Sequence, residues 1–199
     1  MRAAVFAVGL MLLVAGCGGG SDDGHGHAQP SATPSAVPSV AATAFNATDV
    51  QFATDMIPHH RQAVDMAALA ASKASSAEVK ALAAKIRKAQ EPEIATMSGW
   101  LTAWGEPVPS PDAMHHDMGD MGGMPGMLTD TELRRLGAAS GAAFDKLFLT
   151  LMIKHHEGAV ETATTAQAQG VAVKQLAGEI VKSQTGEITE MKALLDKLP

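Results

Sequence analysis

The chain has 199 residues, 46% of them hydrophobic, which is enough for one ordinary domain with a real core plus some tail. A formal charge of -6 and the lack of any Lys or Arg block exclude nucleic acid as a partner, since that binding needs clustered cations to meet phosphates. With aromatic residues at 4% and no Tyr, a core of Ala, Leu, Ile, Val and Met favours helices over sheets.

Residues 1–17 carry Arg2, an apolar run from Ala3 to Ala15, and then Gly16-Cys17. This is the layout of an export signal, too short for an ordinary membrane-spanning helix. It resembles a bacterial lipoprotein signal with a lipobox, in which cleavage precedes the cysteine and the thiol carries lipid. Cys17 is the only cysteine and stands at the required position, so lipidation there is expected, in preference to an ordinary signal with an accidental Cys, and no internal disulfide can form. Residues 18–45 turn to Gly, Ser, Pro, Thr and Ala and read as a disordered tether. Its His25-Gly26-His27 is either a weak metal catch or a solvated stretch of linker.

The domain proper is expected over residues 46–199. Asn46, Thr48 and Asp49 offer helix caps, and from Asp49 to about Ser72 one helical face gathers Phe52, Met56, Ile57, Ala63, Met66 and Ala70 together with His59 and His60. Arg61, Gln62, Asp65 and Lys73 fall outside that face. Pro58 should kink this helix. A second helix is predicted from Ala77 to about Ala103; its seam of Val79, Ala83, Ile86, Gln90, Glu93, Met97, Trp100 and Trp104 alternates steps of four and three, a pattern for packing on another helix. Gln90 and Glu93 are polar on an otherwise apolar seam, so they need partners.

Residues 105–128 read as a loop holding Met114, His115, His116, Met118, Met121, Met124 and Met127. Glycines at 119, 122, 123 and 126 remove the helix that would make a methionine stripe into core, which favours soft-metal capture. Thr129-Asp130-Thr131-Glu132 begins a third helix, expected to run unbroken to about Gln169 with Phe148, Met152, His155 and His156 inward. After Gly170, a fourth helix from about Val173 to Lys197 carries Gln184, Glu187 and Met191 on its seam.

These elements are a duplication. Met56-Ile57-Pro58-His59-His60 returns as Met152-Ile153-Lys154-His155-His156, Asp49 and Phe52 answer to Asp145 and Phe148, and Gln90, Glu93 and Met97 line up with Gln184, Glu187 and Met191. Short connections make each half an antiparallel hairpin (48–104 and 129–198), and two hairpins pack as an all-α, antiparallel four-helix bundle. Counting outward from each turn sets Gln90 beside His59 and His60, Met56 level with Glu93, His156 opposite Gln184 and Met152 close to Glu187.

Met56 with His59 and His60, and Met152 with His155 and His156, share helical faces. Thioether plus neutral imidazole is the ligand set of Cu(I), while Cu(II) prefers imidazole and oxygen. Glu93, Glu187, Met97 and Met191 complete the candidate metal residues, with the two carboxylates favoured as groups that orient a histidine ring and Gln90 and Gln184 in support. The bland alternative is that the histidines are satisfied core residues bonded to Gln and Glu. Met66 is expected to be core, because its counterpart is Thr162.

Asp55-Met56-Ile57-Pro58-His59-His60-Arg61-Gln62-Ala63-Val64-Asp65-Met66-Ala67 resembles the signature of the domain of unknown function 305 (DUF305) family, also called CopM-like, and the segment from Met152 to Val160 resembles its second signature. The resemblance spans about Ala47 to Leu198. It implies a ferritin-like four-helix bundle, exported or membrane-anchored, with members linked to copper binding and resistance. Carried over by position, it marks Met56, His59, His60, Met66, Met152, His155 and His156 as metal residues; Thr162 breaks the symmetry. The expected function is therefore a lipid-anchored extracytoplasmic protein that sequesters Cu(I) or hands it to another copper protein. A ferritin-like metal oxidase or an envelope interaction protein without metal are the rivals.

Overall fold

A computed structural model of the chain describes residues 44–110 and 124–198. The described residues hold five helices and no strand: α1 (Ala47–Lys73), α2 (Ala77–Trp104), α3 (Asp130–Ala138), α4 (Gly141–Gln169) and α5 (Lys174–Leu195). None of these helices is long and apolar enough to cross a membrane. Residues 1–43, where the signal and most of the tether are expected, and residues 111–123 lie outside the described part, and with them Cys17, His25, His27, Met114, His115, His116, Met118 and Met121.

α1 starts on a capping box, in which Asn46 Oδ1 accepts from the Asp49 N–H at 3.0 Å and Asp49 returns the bond to the Asn46 N–H at 2.7 Å. Pro58 and Pro92 both sit inside continuous helices. The predicted third helix is in fact two: α3 ends at Ala138 and α4 begins at Gly141. Gly141 adopts φ 62, a left-handed conformation that a glycine takes without steric cost and that breaks the helical run between them. The short α3, capped by Thr129 and Glu132, packs on α4 and α1, and the Glu132 carboxylate pairs with Lys154 at 2.7 Å.

α1 with α2, and α4 with α5, form the two hairpins, and the hairpins meet chiefly through α1 on α4. Two aspartates register that contact. Asp49 on α1 reaches the turn of the other hairpin, where its Oδ1 accepts from the Val171, Ala172 and Val173 N–H groups at 2.9, 3.1 and 3.1 Å. Asp145 on α4 returns the gesture to the α1–α2 turn, accepting from the Ser76 N–H at 2.9 Å and the Ser75 N–H at 3.1 Å, and from the Ser75 hydroxyl. Both carboxylates are fully buried. Repeated residues thus cap each other's hairpin, so α1 and α4 run antiparallel with both ends held.

The core between them falls into two apolar clusters. One gathers Phe52, Met56, Ile57, Met97, Leu101 and Ile180; the other gathers Met66, Leu82, Phe144, Phe148, Met152 and Met191. Hairpin one places Met56 and Met97 in the first cluster, and hairpin two places Met152 and Met191 in the second. Four histidines belong to neither.

Candidate metal centre

His59, His60, His155 and His156 are all 0% exposed, an uncommon fate for a polar ring. They come inward because the apolar stripes of α1 and α4 run through them. Across the α1–α4 contact the His59 and His155 rings lie face to face with centroids 3.7 Å apart and planes 35° from parallel. His60 and His156 stand outboard, their rings 6.5 and 6.2 Å from those of their sequence neighbours.

Each outboard ring is held by a carboxylate from its own hairpin: His60 Nε2 lies 2.8 Å from Glu93 Oε2 and His156 Nε2 lies 2.9 Å from Glu187 Oε2. A carboxylate accepts, so Nε2 must carry the proton. In the neutral tautomer that makes this bond, the remaining nitrogen, Nδ1, keeps its lone pair. Glu93 and Glu187 thus hold the rings in the orienting role expected of them, whereas Gln90 and Gln184, set beside the histidines by counting from the turns, do not bond to them.

Burial drives the inner rings to the neutral form. His59 falls from 6.5 to about 3, first through desolvation and then through repulsion from His60 and His156; the Pro125 carbonyl, which faces it outside hydrogen-bond geometry, opposes the shift. His155 is pushed well below its ordinary value by desolvation and by His59, His156 and His60. His156 is lowered by desolvation too, with Glu187 pulling the other way.

Among the described residues, every buried side-chain nitrogen or oxygen that lacks a hydrogen-bond partner belongs to this layer: both ring nitrogens of His59 and of His155, Nδ1 of His60 and of His156, both amide atoms of Gln90, and Oε1 of Gln184. An unmet buried polar group costs about 1–3 kcal/mol, so folded proteins keep few of them. Here they are concentrated on the four histidines and on the two glutamines of the hairpin seams. Among the described residues no three His, Cys, Asp or Glu side chains gather as a metal cage by themselves. The donors on offer are neutral imidazole, with buried thioethers nearby.

Comparison with known proteins places the chain. The DUF305 family model, a domain of unknown function, matches residues 49–195. The chain belongs to the DUF305 family. Among solved structures it is similar to a DUF305 protein from Streptomyces coelicolor described as secreted (38% identity over 75% of this chain and 93% of that one, TM-score 0.66). It is similar also to a DUF305 fragment from Deinococcus radiodurans (32% identity, 77% and 99% coverage, TM-score 0.68). A third is CopM in its Cu(II)-bound form (36% identity, 75% and 96% coverage, TM-score 0.63). CopM is known in Cu(I)-bound, silver-bound and apo forms as well. No curated protein matches the chain.

Of the remaining candidates in this DUF305 chain, Met124 packs partly buried against the cluster of Phe52 and Met56, and Met127 is also partly buried. Met66 is buried in the cluster of Phe144 and Phe148. Sequence reasoning missed Gln62. It was assigned to the outer face of α1, yet it is buried and its amide bonds to both main-chain groups of Leu128, accepting from the N–H at 2.8 Å and donating to the carbonyl at 3.1 Å. The connection before α3 packs there, and an irregular segment leaves no periodic trace in the helix it covers. The one available signal was the repeat, in which Gln62 aligns with Gly158.

Proposed function

We propose that this DUF305 protein binds copper outside the cytoplasm, anchored by lipid on Cys17, and that it sequesters the ion or passes it to another copper protein. The observation that carries this reading is the buried layer whose unmet donors are imidazole nitrogens. The fold is read as a ferritin-like four-helix bundle with that layer at mid-height. His59, His60, His155 and His156 would hold the ion, Glu93 and Glu187 would orient the outboard rings, and Met56, Met97, Met152 and Met191 would supply sulfur. Imidazole and thioether suit Cu(I). The segment from Met114 to Met127 would be a collecting arm, with His115, His116, Met118, Met121 and Met124 as its donors. Similarity to CopM, solved with copper and with silver, supports the choice of metal, and similarity to the Streptomyces coelicolor protein described as secreted supports the location.

A di-iron oxidase bundle uses several glutamates and Glu-x-x-His pairs. Neither Glu93 nor Glu187 has a His three residues on, and each is already engaged by an imidazole, so storage or transfer fits better than oxygen chemistry. Titration of the full-length protein with Cu(I) against a competing chelator tests the proposal. High-affinity binding should vanish when His59, His60, His155 and His156 are all replaced by Gln, and affinity unmoved by that replacement would exclude the layer.

A further inference from the structure

The four histidines are fully buried, so something has to move before any ion reaches them. The helices are poor candidates. α1 and α4 are held at both ends by the Asp49 and Asp145 caps, and opening them would break continuous helical ladders. The described element of another kind at this height is Met124–Leu128, a short non-helical strap.

The strap crosses the layer on one side. The Pro125 carbonyl faces His59. At Gly126, φ is +85, and an added Cβ would come within 2.7 Å of the His155 carbonyl oxygen and 2.8 Å of that of Lys154. On α4, a Cβ at Gly158 would sit 1.8 Å from the Pro125 oxygen and 2.5 Å from the Gly126 nitrogen. Main chain therefore lies directly on main chain, and only glycine at 158 and 126 permits it. On α1, the Gln62 amide grips Leu128 through both its main-chain groups. Arg61 donates to the Pro109 carbonyl at 2.7 Å, so the far end of the same connection is fastened beside His60 too.

Gln62 and Gly158 occupy the same position in the two repeats, three residues after the inner histidine. In one copy that position holds the strap with an amide, and in the other it yields space for the strap. The duplication is symmetric in its histidines and asymmetric where the strap crosses.

We propose that Met124–Leu128 is the movable element through which a soft cation reaches and leaves the histidine layer, with Gln62 and Gly158 as the positioning residues that keep it shut. This rests on the copper reading above. Among the described residues, two side-chain bonds to Leu128 and one turn bond, Met127 N–H to the Met124 carbonyl at 3.2 Å, hold the strap besides packing. Met124 and Met127 lie on it, so an ion passing that way meets thioether sulfur before imidazole.

The test begins on metal-free, full-length protein, with diethylpyrocarbonate acylation of His59 and His155 followed by mass spectrometry. Wild type should react slowly and Gln62→Leu about tenfold faster or more, as two lost hydrogen bonds imply. Gly158→Ala should react faster still, because its clash is with backbone. Gln62→Glu, which sets a carboxylate oxygen against the Leu128 carbonyl in a buried place, should react at neutral pH at least as fast as Gln62→Leu. Low urea should leave these rates flat, since local opening exposes little surface, whereas reaction through global unfolding would climb with urea. In copper exchange with a chelator, Gln62→Leu should speed uptake and release by one common factor and leave the equilibrium affinity in place. Wild-type rates of acylation in both Gln62→Leu and Gly158→Ala, or rates that rise only with urea, would overturn the proposal. Because acylation needs no metal, that failure is separate from a failure of the copper titration.

Discussion

Asp49 offers a sharp test of how the histidine layer is assembled. Its side chain is fully buried and accepts from four main-chain N–H groups: Asn46 within its own cap and Val171, Ala172 and Val173 on the turn of the other hairpin. Asp49→Ala leaves all four donors without that acceptor. A hydrogen bond to a charged group is worth about 1.5–3 kcal/mol, but bonds sharing one carboxylate do not add, and breaking such a buried network costs about 3–5 kcal/mol as a whole. That is a large part of the roughly 5–15 kcal/mol by which domains are stable. Asp49→Asn keeps an amide oxygen for the three turn donors but turns an NH2 toward the Asn46 N–H, so it should cost about 1.5–3 kcal/mol, less than Asp49→Ala. Asp145→Ala, which strips the matching cap from Ser75 and Ser76, should resemble Asp49→Ala. Urea unfolding with excess chelator, so that bound metal does not shift the midpoint, measures all three. A loss below about 1 kcal/mol for Asp49→Ala, or an Asn variant as weak as Ala, would refute the claim that these caps tie the hairpins together.

Acid should destabilise the fold in a definite window. His59 is neutral in the folded chain down to about pH 3 but takes a proton near 6.5 when unfolded, so the unfolded state binds more protons between those values. Stability is full above about 6.5 and falls as pH drops toward 3, at up to about 1.4 kcal/mol per pH unit for each such ring. His155 and His156 are lowered too and steepen the slope, and His59→Gln should flatten it in urea midpoints taken from pH 7.5 to 4.5. Glu93→Ala and Glu187→Ala should each weaken copper binding about 10–100-fold by freeing the tautomer of the ring they hold, checked by chelator competition. Nitrogen NMR of His60 and His156 in wild type should show the proton on Nε2, and a proton on Nδ1 in both would remove the lone pairs on which the site is argued. Deleting residues 113–122 should lower copper bound per chain in elemental analysis while moving unfolding by no more than about 0.5 kcal/mol.

Much of the helical framework was legible because duplication and periodicity reinforce each other. Phe52, Met56, Val79, Ile86, Phe148, Met152 and Ile180 recur at helical spacing and are buried, and the matched histidines turn inward with them. Axial register was less legible. Counting from the turns put Gln90 and Gln184 against the histidines, with Glu93 and Glu187 as the ring-orienting groups, and the bonds go to Glu93 and Glu187 alone. Residues three apart share a helical face, so counting cannot tell which of the two polar seam residues makes the bond. The break at Ala139-Ser140 was hidden because Gly137 and Gly141 stand within a stretch whose apolar spacing continues on both sides. Asp49 and Asp145 were visible as repeat markers, but that each caps the opposite hairpin depends on how the hairpins dock, which no local pattern encodes.

The asymmetry in the repeat constrains how the layer works. If the histidines served only to fill the core, both copies would favour the same neighbour three residues on, because both helices would face the same interior. They differ: Gln62 makes two buried hydrogen bonds that Gly158 has no side chain to make, and Gly158 admits main chain that any Cβ would exclude. Each residue is disfavoured in a helix interior relative to Ala unless its surroundings repay it, glycine by about 1 kcal/mol and a buried amide through desolvation. The compensation on both sides is the same strap. Exchanging the two residues therefore serves as a direct test: Gln62→Gly with Gly158→Gln restores the composition but places the amide where the Pro125 carbonyl lies. The swapped protein should keep its helices by circular dichroism and lose protection of the Leu128 amide in hydrogen exchange. Retained protection would mean that the strap is held by packing of Leu128 alone and that the repeat asymmetry carries no mechanical meaning.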